Sequence, residues 1–180
     1  LGLLTGAGHR AVQVRERPTV GIVPTGEELV RADPDSGEVI ETNGLTVATL
    51  VTRWGGVPAR REPVPEQRSA LRAALQRDLH RDLIVTTGGS SVGERDLVPE
   101  VIADLGEVLV HGVALRPGHP VALGVIEETP VLALPGYPVA CVVNAVQFLR
   151  PVLKRVGGLP CPDLPRVPAT LDRKAPSATG

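Results

Sequence analysis

Aromatic residues are almost missing from this 180-residue chain: Trp54, Tyr137 and Phe148 make up 2% of it. Their scarcity removes the stacking platforms of single-strand nucleic-acid binders and leaves a core of Val, Leu and Ala. Positive charge is not in excess either. Nineteen Lys and Arg stand against twenty Asp and Glu, a net charge of -1, without the basic surplus that phosphate-backbone binding calls for. No nucleic-acid partner is expected. Two cysteines, Cys141 and Cys161, make neither a disulfide framework nor a metal-ligand cluster, which suits a reducing compartment. No apolar run approaches the roughly 20 residues needed to span a bilayer, and no signal peptide opens the chain. The expectation is a soluble, cytoplasmic protein without a membrane partner. Met is absent even at position 1, so the chain is expected to be a piece of a longer protein.

Hydrophobic residues at 42% and charged residues at 22% are close to globular averages, and 180 residues can build a self-sufficient core. Residues 1–18 have weak periodicity and read as a connecting strand or linker, while the Pro- and Gly-rich stretch from Gly157 through Pro160, Pro162, Pro165 and Pro168 ends the periodic region. Between these boundaries, residues 20–23 read as a buried strand. Leu45, Ala48, Val51 and Trp54 recur at helical spacing after Thr42 and Asn43 and stop at Gly55-Gly56. Pro65 can open a helix over residues 66–79, with Ala70, Leu71, Ala74 and Leu75 as its apolar stripe. DLIVTT (82–87) is a second buried strand, and a helix over 96–105 is closed by Gly106. Strands at 108–115, 121–126 and 130–134 follow, then a helix from Pro138 to about Arg155. Strands alternating with helices imply an α/β fold, a largely parallel sheet covered on both faces, with an antiparallel section where the last strands crowd together.

In such sheets ligands collect at the carboxyl ends of the strands, where loops lead into helix amino termini. Three loops qualify: Pro24-Thr25-Gly26-Glu27-Glu28, then Gly88-Gly89-Ser90-Ser91-Val92-Gly93-Glu94-Arg95-Asp96, then Pro135-Gly136-Tyr137-Pro138. The second combines three glycines with two hydroxyls and suits an anionic ligand, with an ordinary tight turn as the alternative. It lacks the Lys of a P-loop and the spacing of a dinucleotide fingerprint. Glu28, Glu66 and Asp96 each fall in the loop or first turn after a strand. If the fold gathers them, three carboxylates beside an anion cradle suit Mg²⁺ and phosphoryl or nucleotidyl chemistry, although Glu66 and Asp96 equally suit helix starts. Arg116-Pro117-Gly118-His119-Pro120 reads as a polar turn, Asp33-Pro34-Asp35-Ser36-Gly37 as a solvated one, and Cys141 as a small buried hydrophobe.

In order, PTGEELV, GEVIETNG, IVTTGGSSVGERD, HGVALRPGHPVALG and LALPGYPVACVVNAV resemble the MoeA family of molybdenum cofactor biosynthesis. The resemblance spans residues 20–157 and implies the three-layer molybdopterin-binding fold shared with MogA-type proteins and gephyrin. Residues 1–19 then resemble the exit from preceding domains, and residues 158–180 the start of a C-terminal β-domain. The implied activity is that of a molybdopterin molybdotransferase, which takes adenylylated molybdopterin and molybdate and, with Mg²⁺, releases AMP and molybdenum cofactor. The implied catalytic residues are Glu28, Glu66 and Asp96, with Glu66 and Asp96 toward the metal. Thr25, Gly26, Gly88, Gly89, Ser90, Ser91, Gly93, Arg116, Pro117, Gly118, His119, Pro135, Gly136 and Pro138 are the implied substrate-binding positions. The sequence departs from the family pattern at Glu66, where Asp is usual, at Arg116 and His119, where Lys is common, at Tyr137 (Asn) and at Ala140 (Ser). MoeA-type proteins are dimers whose site is completed by another domain of the partner subunit, so a homodimeric parent is implied, and this piece is expected to bind without normal turnover. The alternatives are a MogA-like adenylyltransferase that uses ATP, a non-catalytic molybdopterin-binding module of the gephyrin kind, and a CinA-like nucleotide hydrolase.

Overall fold

Val20, Ile22, Leu83, Ile84 and Val85 are fully buried, as expected of central strands covered on both faces, whose sequences run apolar without alternation. The computed structural model of the chain describes residues 1–89, 97–162, 165–170 and 172–173. Its strands are β1 (Thr19–Pro24), β2 (Leu29–Val30), β3 (Val39–Ile40), β4 (Val57–Arg60), β5 (Leu83–Thr87), β6 (Glu107–His111), β7 (Ala122–Ile126) and β8 (Thr129–Leu134). Its helices are α1 (Gly2–Gly6), α2 (Asn43–Arg53), α3 (Arg68–Asp78), α4 (Leu97–Leu105), α5 (Pro138–Asn144) and α6 (Arg150–Val156).

The main sheet has the order β4-β1-β5-β8-β7-β6. β4, β1, β5 and β8 are parallel, and β7 runs antiparallel to both of its neighbours. This is the largely parallel α/β sheet with an antiparallel section that the strand spacing implied. Successive strand residues feed opposite layers, because the side-chain period of a strand is two. Leu83, Val85, Leu132 and Leu134 pack with Val47, Val51, Leu149 and Leu153 from the α2 and α5–α6 side. Ile84, Val131 and Ala133 pack with Leu71, Leu75, Val98 and Ile102 from the α3 and α4 side. Among the described residues no helix is long and apolar enough to cross a membrane.

Several expectations are corrected. β4 lies where no strand was read: its VPAR sequence contains Pro58, which argues against a central strand but is tolerated at the sheet edge that β4 occupies. α3 starts at Arg68, after Gln67 as its N-cap, so Pro65 and Glu66 lie outside it. Val64 is held instead beside Thr25, its N–H donating to Pro24 O and its O accepting from Gly26 N. β6 stops at His111 because Gly112 takes φ 78 and its N–H donates to Val121 O, turning the chain away. Residues 1–18 contain the exposed helix α1. The closing helix starts at Pro138 as expected but passes through a π-helical turn, Ala145–Leu149. Pro151 has no N–H to continue the α ladder, and the widened turn precedes it.

Cys141 is fully buried in the α2-side core. Burial first, and then the nearby Glu41 charge, push its thiol up to about 12, so it is protonated and unreactive at neutral pH. Cys161 is exposed. A chromogenic disulfide reagent should therefore titrate one thiol in the native chain and two after denaturation; rapid native titration of both would contradict this placement.

Candidate functional site

From β1 the chain next enters the sheet on one side, at β4, and then crosses to the other side, at β5. The order reverses between β1 and β5, and the carboxyl ends of those strands flank the crevice where open α/β sheets bind ligands. A cavity of about 320 Å³ opens there. Thr25, Gly88 and Gly89 line it from the loops after β1 and β5, Thr87 from the end of β5, and Gly136, Tyr137 and Pro138 from the loop after β8 and the start of α5. Leu29, Val39 and Ile40 of the small β2–β3 ribbon add an apolar wall.

The three loops meet because their backbones touch. Thr25 N–H donates to Thr87 O at 2.9 Å, and Gly88 N–H donates to Leu134 O at 3.1 Å. A Cβ at Gly88 would lie 2.3 Å from Thr25 O, and one at Gly136 would lie 3.4 Å from Gly88 Cα. Gly88 also has φ 98, so both conformation and space call for glycine. The Thr86 and Thr87 hydroxyls are buried without a hydrogen-bond partner among the described residues. Each such group costs about 1–3 kcal/mol of unrecovered desolvation.

One wall is anchored by a carboxylate that the sequence reading passed over. Glu41 lines the cavity yet its side chain is only 1% exposed. One of its oxygens accepts from Gly44 N–H at 2.5 Å, at the start of α2, and the other from Arg60 Nε and Nη2 at 2.9 and 2.6 Å. Arg60 Nη2 also donates to Glu41 O at 3.0 Å. Two residues on, Asn43 Nδ2 donates to Gly136 O at 2.6 Å, which ties the start of α2 to the loop before α5. The signal was present in GEVIETNG: a carboxylate three residues before Gly44 can satisfy an unpaired N–H of the helix start. Thr42, Asn43, Thr87, Leu29, Val39 and Ile40 are lining residues that were not assigned to the site from sequence.

Of the sequence-derived positions, Thr25, Glu28, Glu66, Gly88, Gly89, Gly136 and Pro138 line the cavity. Glu28 and Glu66 are both exposed and share it, although they stand 38 residues apart in the chain. Ser90, Ser91, Gly93 and Asp96 lie outside the described residues, and with Asp96 the meeting of all three carboxylates. Gly26, Arg116, Pro117, Gly118, His119 and Pro135 are not among the cavity's lining residues. Gly26 and Pro135 are buried beside it. The 116–119 turn belongs to the loop before β7, whose first residue Ala122 pairs with Ala133 near the carboxyl end of β8. It therefore sits on the same sheet edge, displaced from the switch point. Asn144 Nδ2 holds this turn by donating to Gly118 O at 2.9 Å, and the His119 ring Nδ1 lies 2.7 Å from Val113 O.

Among the described residues no group of three His, Cys, Asp or Glu side chains is placed to hold a metal ion. Mg²⁺ does not need one: it keeps several waters and is bound by one or two carboxylates together with substrate phosphate oxygens. Glu28 and Glu66 are two exposed carboxylates on this cavity.

Fold and cavity together define an α/β ligand-binding domain built around a switch-point crevice. The sequence profile of the family described as "Probable molybdopterin binding domain" matches residues 21–155, and the chain belongs to this family. The MoeA resemblance read from the motifs is carried by named relatives. The chain is 32% identical over 166 residues to a molybdopterin molybdenumtransferase of Nostoc, covering 88% of this chain and 38% of that protein. It is 31% identical over 161 residues to the molybdopterin molybdenumtransferase of Haemophilus influenzae, covering 88% and 40%. The crystal structure of a molybdopterin biosynthesis MoeA protein from Pyrococcus horikoshii superposes with a TM-score of 0.79 at 33% identity, covering 87% of this chain and 40% of that one. The chain thus spans about two fifths of the length of these relatives. A MoaB protein of Thermus thermophilus matches at a TM-score of 0.61 and 26% identity, covering 79% of this chain and 98% of that one.

Proposed function

We propose that this domain serves molybdenum cofactor biosynthesis as the ligand-binding part of a molybdopterin molybdotransferase, which takes adenylylated molybdopterin and molybdate and releases AMP and molybdenum cofactor. The observation that supports this most directly is the pairing of Glu28 and Glu66 on one cavity at the β1/β5 switch point, in a chain similar to molybdopterin molybdenumtransferases. Gly88 and Gly89 bring the loop after β5 to the cavity wall, where an anion would be held, Glu28 serves as a proton acceptor on the wall, and Glu66 with Asp96 would hold Mg²⁺. The ion would supply charge neutralisation at the adenylate phosphate. The parent is taken to act as a cytoplasmic homodimer whose partner subunit completes the site.

AMP release is the test. The 180-residue chain and a full-length protein that contains it are incubated with adenylylated molybdopterin and Mg²⁺, with and without molybdate. Molybdate-dependent release by the longer protein, abolished by Asp96→Asn with folding unchanged, is the expected result. Retained activity in that variant removes Asp96 from the mechanism. Absence of release moves the reading to an adenylyltransferase or a binding module.

A further inference from the structure

Glu41 joins three separate elements around the cavity, α2, β4 and β2, and its neighbour Asn43 reaches a fourth. Its side chain holds the start of α2 through Gly44 and the edge strand β4 through Arg60. Its backbone N–H donates to Val30 O at 2.7 Å, and Val39 N–H donates to Glu28 O at 2.7 Å. These two bonds close the β2–β3 ribbon, so the residue that carries the Glu28 carboxylate is fastened to the segment that ends at Glu41. Through the adjacent Asn43, the same segment fixes Gly136 O in the opposite rim. The contact with Gly44 is close-fitting: a Cβ there would lie 2.8 Å from the Glu41 carboxylate and 3.0 Å from Pro24.

We infer that the Glu41–Arg60 pair is a positioning element that sets the spacing between the Glu28 ribbon and the Gly136 rim, and hence the width of the cavity. A buried carboxylate in this place otherwise has little to recommend it for stability, since a buried ion pair often gains no more than an apolar replacement would. Its distinguishing property is geometric. Charge-assisted and backbone contacts from β4, α2 and β2 converge on Glu41, and the Asn43 amide beside it ties the same segment to the α5 loop. This inference concerns the same cavity as the functional reading above and rests on that reading only for the identity of the ligand.

The test is hydrogen exchange on the ligand-free 180-residue chain, comparing wild type, Glu41→Gln and the double variant Glu41→Gln with Arg60→Met. The double variant removes both charges, so it folds even where a lone Arg60 guanidinium prevents the single variant from doing so. Loss of the charged bonds should accelerate exchange roughly tenfold or more at residues 28–41 and at the amides around Gly136, while β5 (83–87) keeps its wild-type protection. Glu41→Asp, which restores the charge on a shorter stem, should recover part of the protection. An equal increase in β5 would show that the pair only supports the fold as a whole, and unchanged exchange at the ribbon and rim would show that it positions nothing; either overturns the inference. AMP is titrated into the same samples as a probe. Failure of the wild type to bind AMP would count against the functional reading and leave the exchange result to decide the positioning role.

Discussion

Asp78→Ala should lower the stability of the chain by about 3–5 kcal/mol, the usual consequence of breaking a buried ion pair from one side. Against a total of about 5–15 kcal/mol for an ordinary domain, that is a large share. Asp78 closes α3 with its side chain 0% exposed. It accepts from Arg61 Nε at 3.0 Å, from Arg61 Nη2, and from Arg81 Nε at 2.8 Å. Opposite it is Gly21 of β1, where a Cβ would lie 2.8 Å from the Asp78 carboxyl group, so the carboxylate fills space that a larger strand residue would take. Desolvation alone would raise its pKa, but the hydrogen bonds and charges of Arg61 and Arg81 outweigh it and hold the group below the ordinary carboxylate range.

The sign of the pH dependence follows from that direction. A depressed folded-state pKa means that the unfolded chain binds the proton more readily, so the contribution is full above the ordinary carboxylate range and is lost as pH falls through the folded value. Urea unfolding should show a wide gap between wild type and Asp78→Ala at about pH 7 that narrows toward about pH 3. An unchanged midpoint at neutral pH would dismiss the pair as a stabilising element. Asp104→Ala is the control. Its partner Arg68 is half exposed and also paired with Glu100, so its removal should change little and in a salt-dependent way.

Gly88→Ala should both weaken the fold and spoil the cavity, and Gly37→Ala separates the two causes. The residues share nearly the same backbone angle, φ 98 and φ 95, but a Cβ at Gly37 meets nothing within 4 Å, whereas at Gly88 it would lie 2.3 Å from Thr25 O. Both substitutions carry the conformational cost of a positive φ, roughly 1–3 kcal/mol. Gly88→Ala adds overpacking of about 1–3 kcal/mol, and the only relief is to force the loops after β1 and β5 apart. Denaturation midpoints should therefore rank wild type, Gly37→Ala, Gly88→Ala, with AMP binding lost in the last alone. Equal midpoints for the two variants would mean that the loops are not in contact at Gly88.

The chain's own pattern determined much of this protein. The apolar stretches at 20–23 and 83–85 specify strands buried on both faces, and the glycine loops that follow these strands mark the edge where the cavity lies. The same pattern carried a signal that was not used: Leu71, Leu75 and Asp78 recur along one face of α3 and all are buried, so a carboxylate standing on an apolar stripe announces a buried pair. Only the tertiary structure decided the rest. β2 and β3 are two residues each, too short for any periodicity, and β4 carries a proline that only its edge position makes acceptable. Glu41 and Arg60 meet across 19 residues because β4 pairs with β1. Glu28 and Glu66 share a cavity because strand order reverses at β1 and β5. Local preference and hydrophobic period act over a few residues, whereas pairing of a polar side chain with a distant partner depends on which strands become neighbours. That choice is made by burial of the whole sheet between its two helical layers.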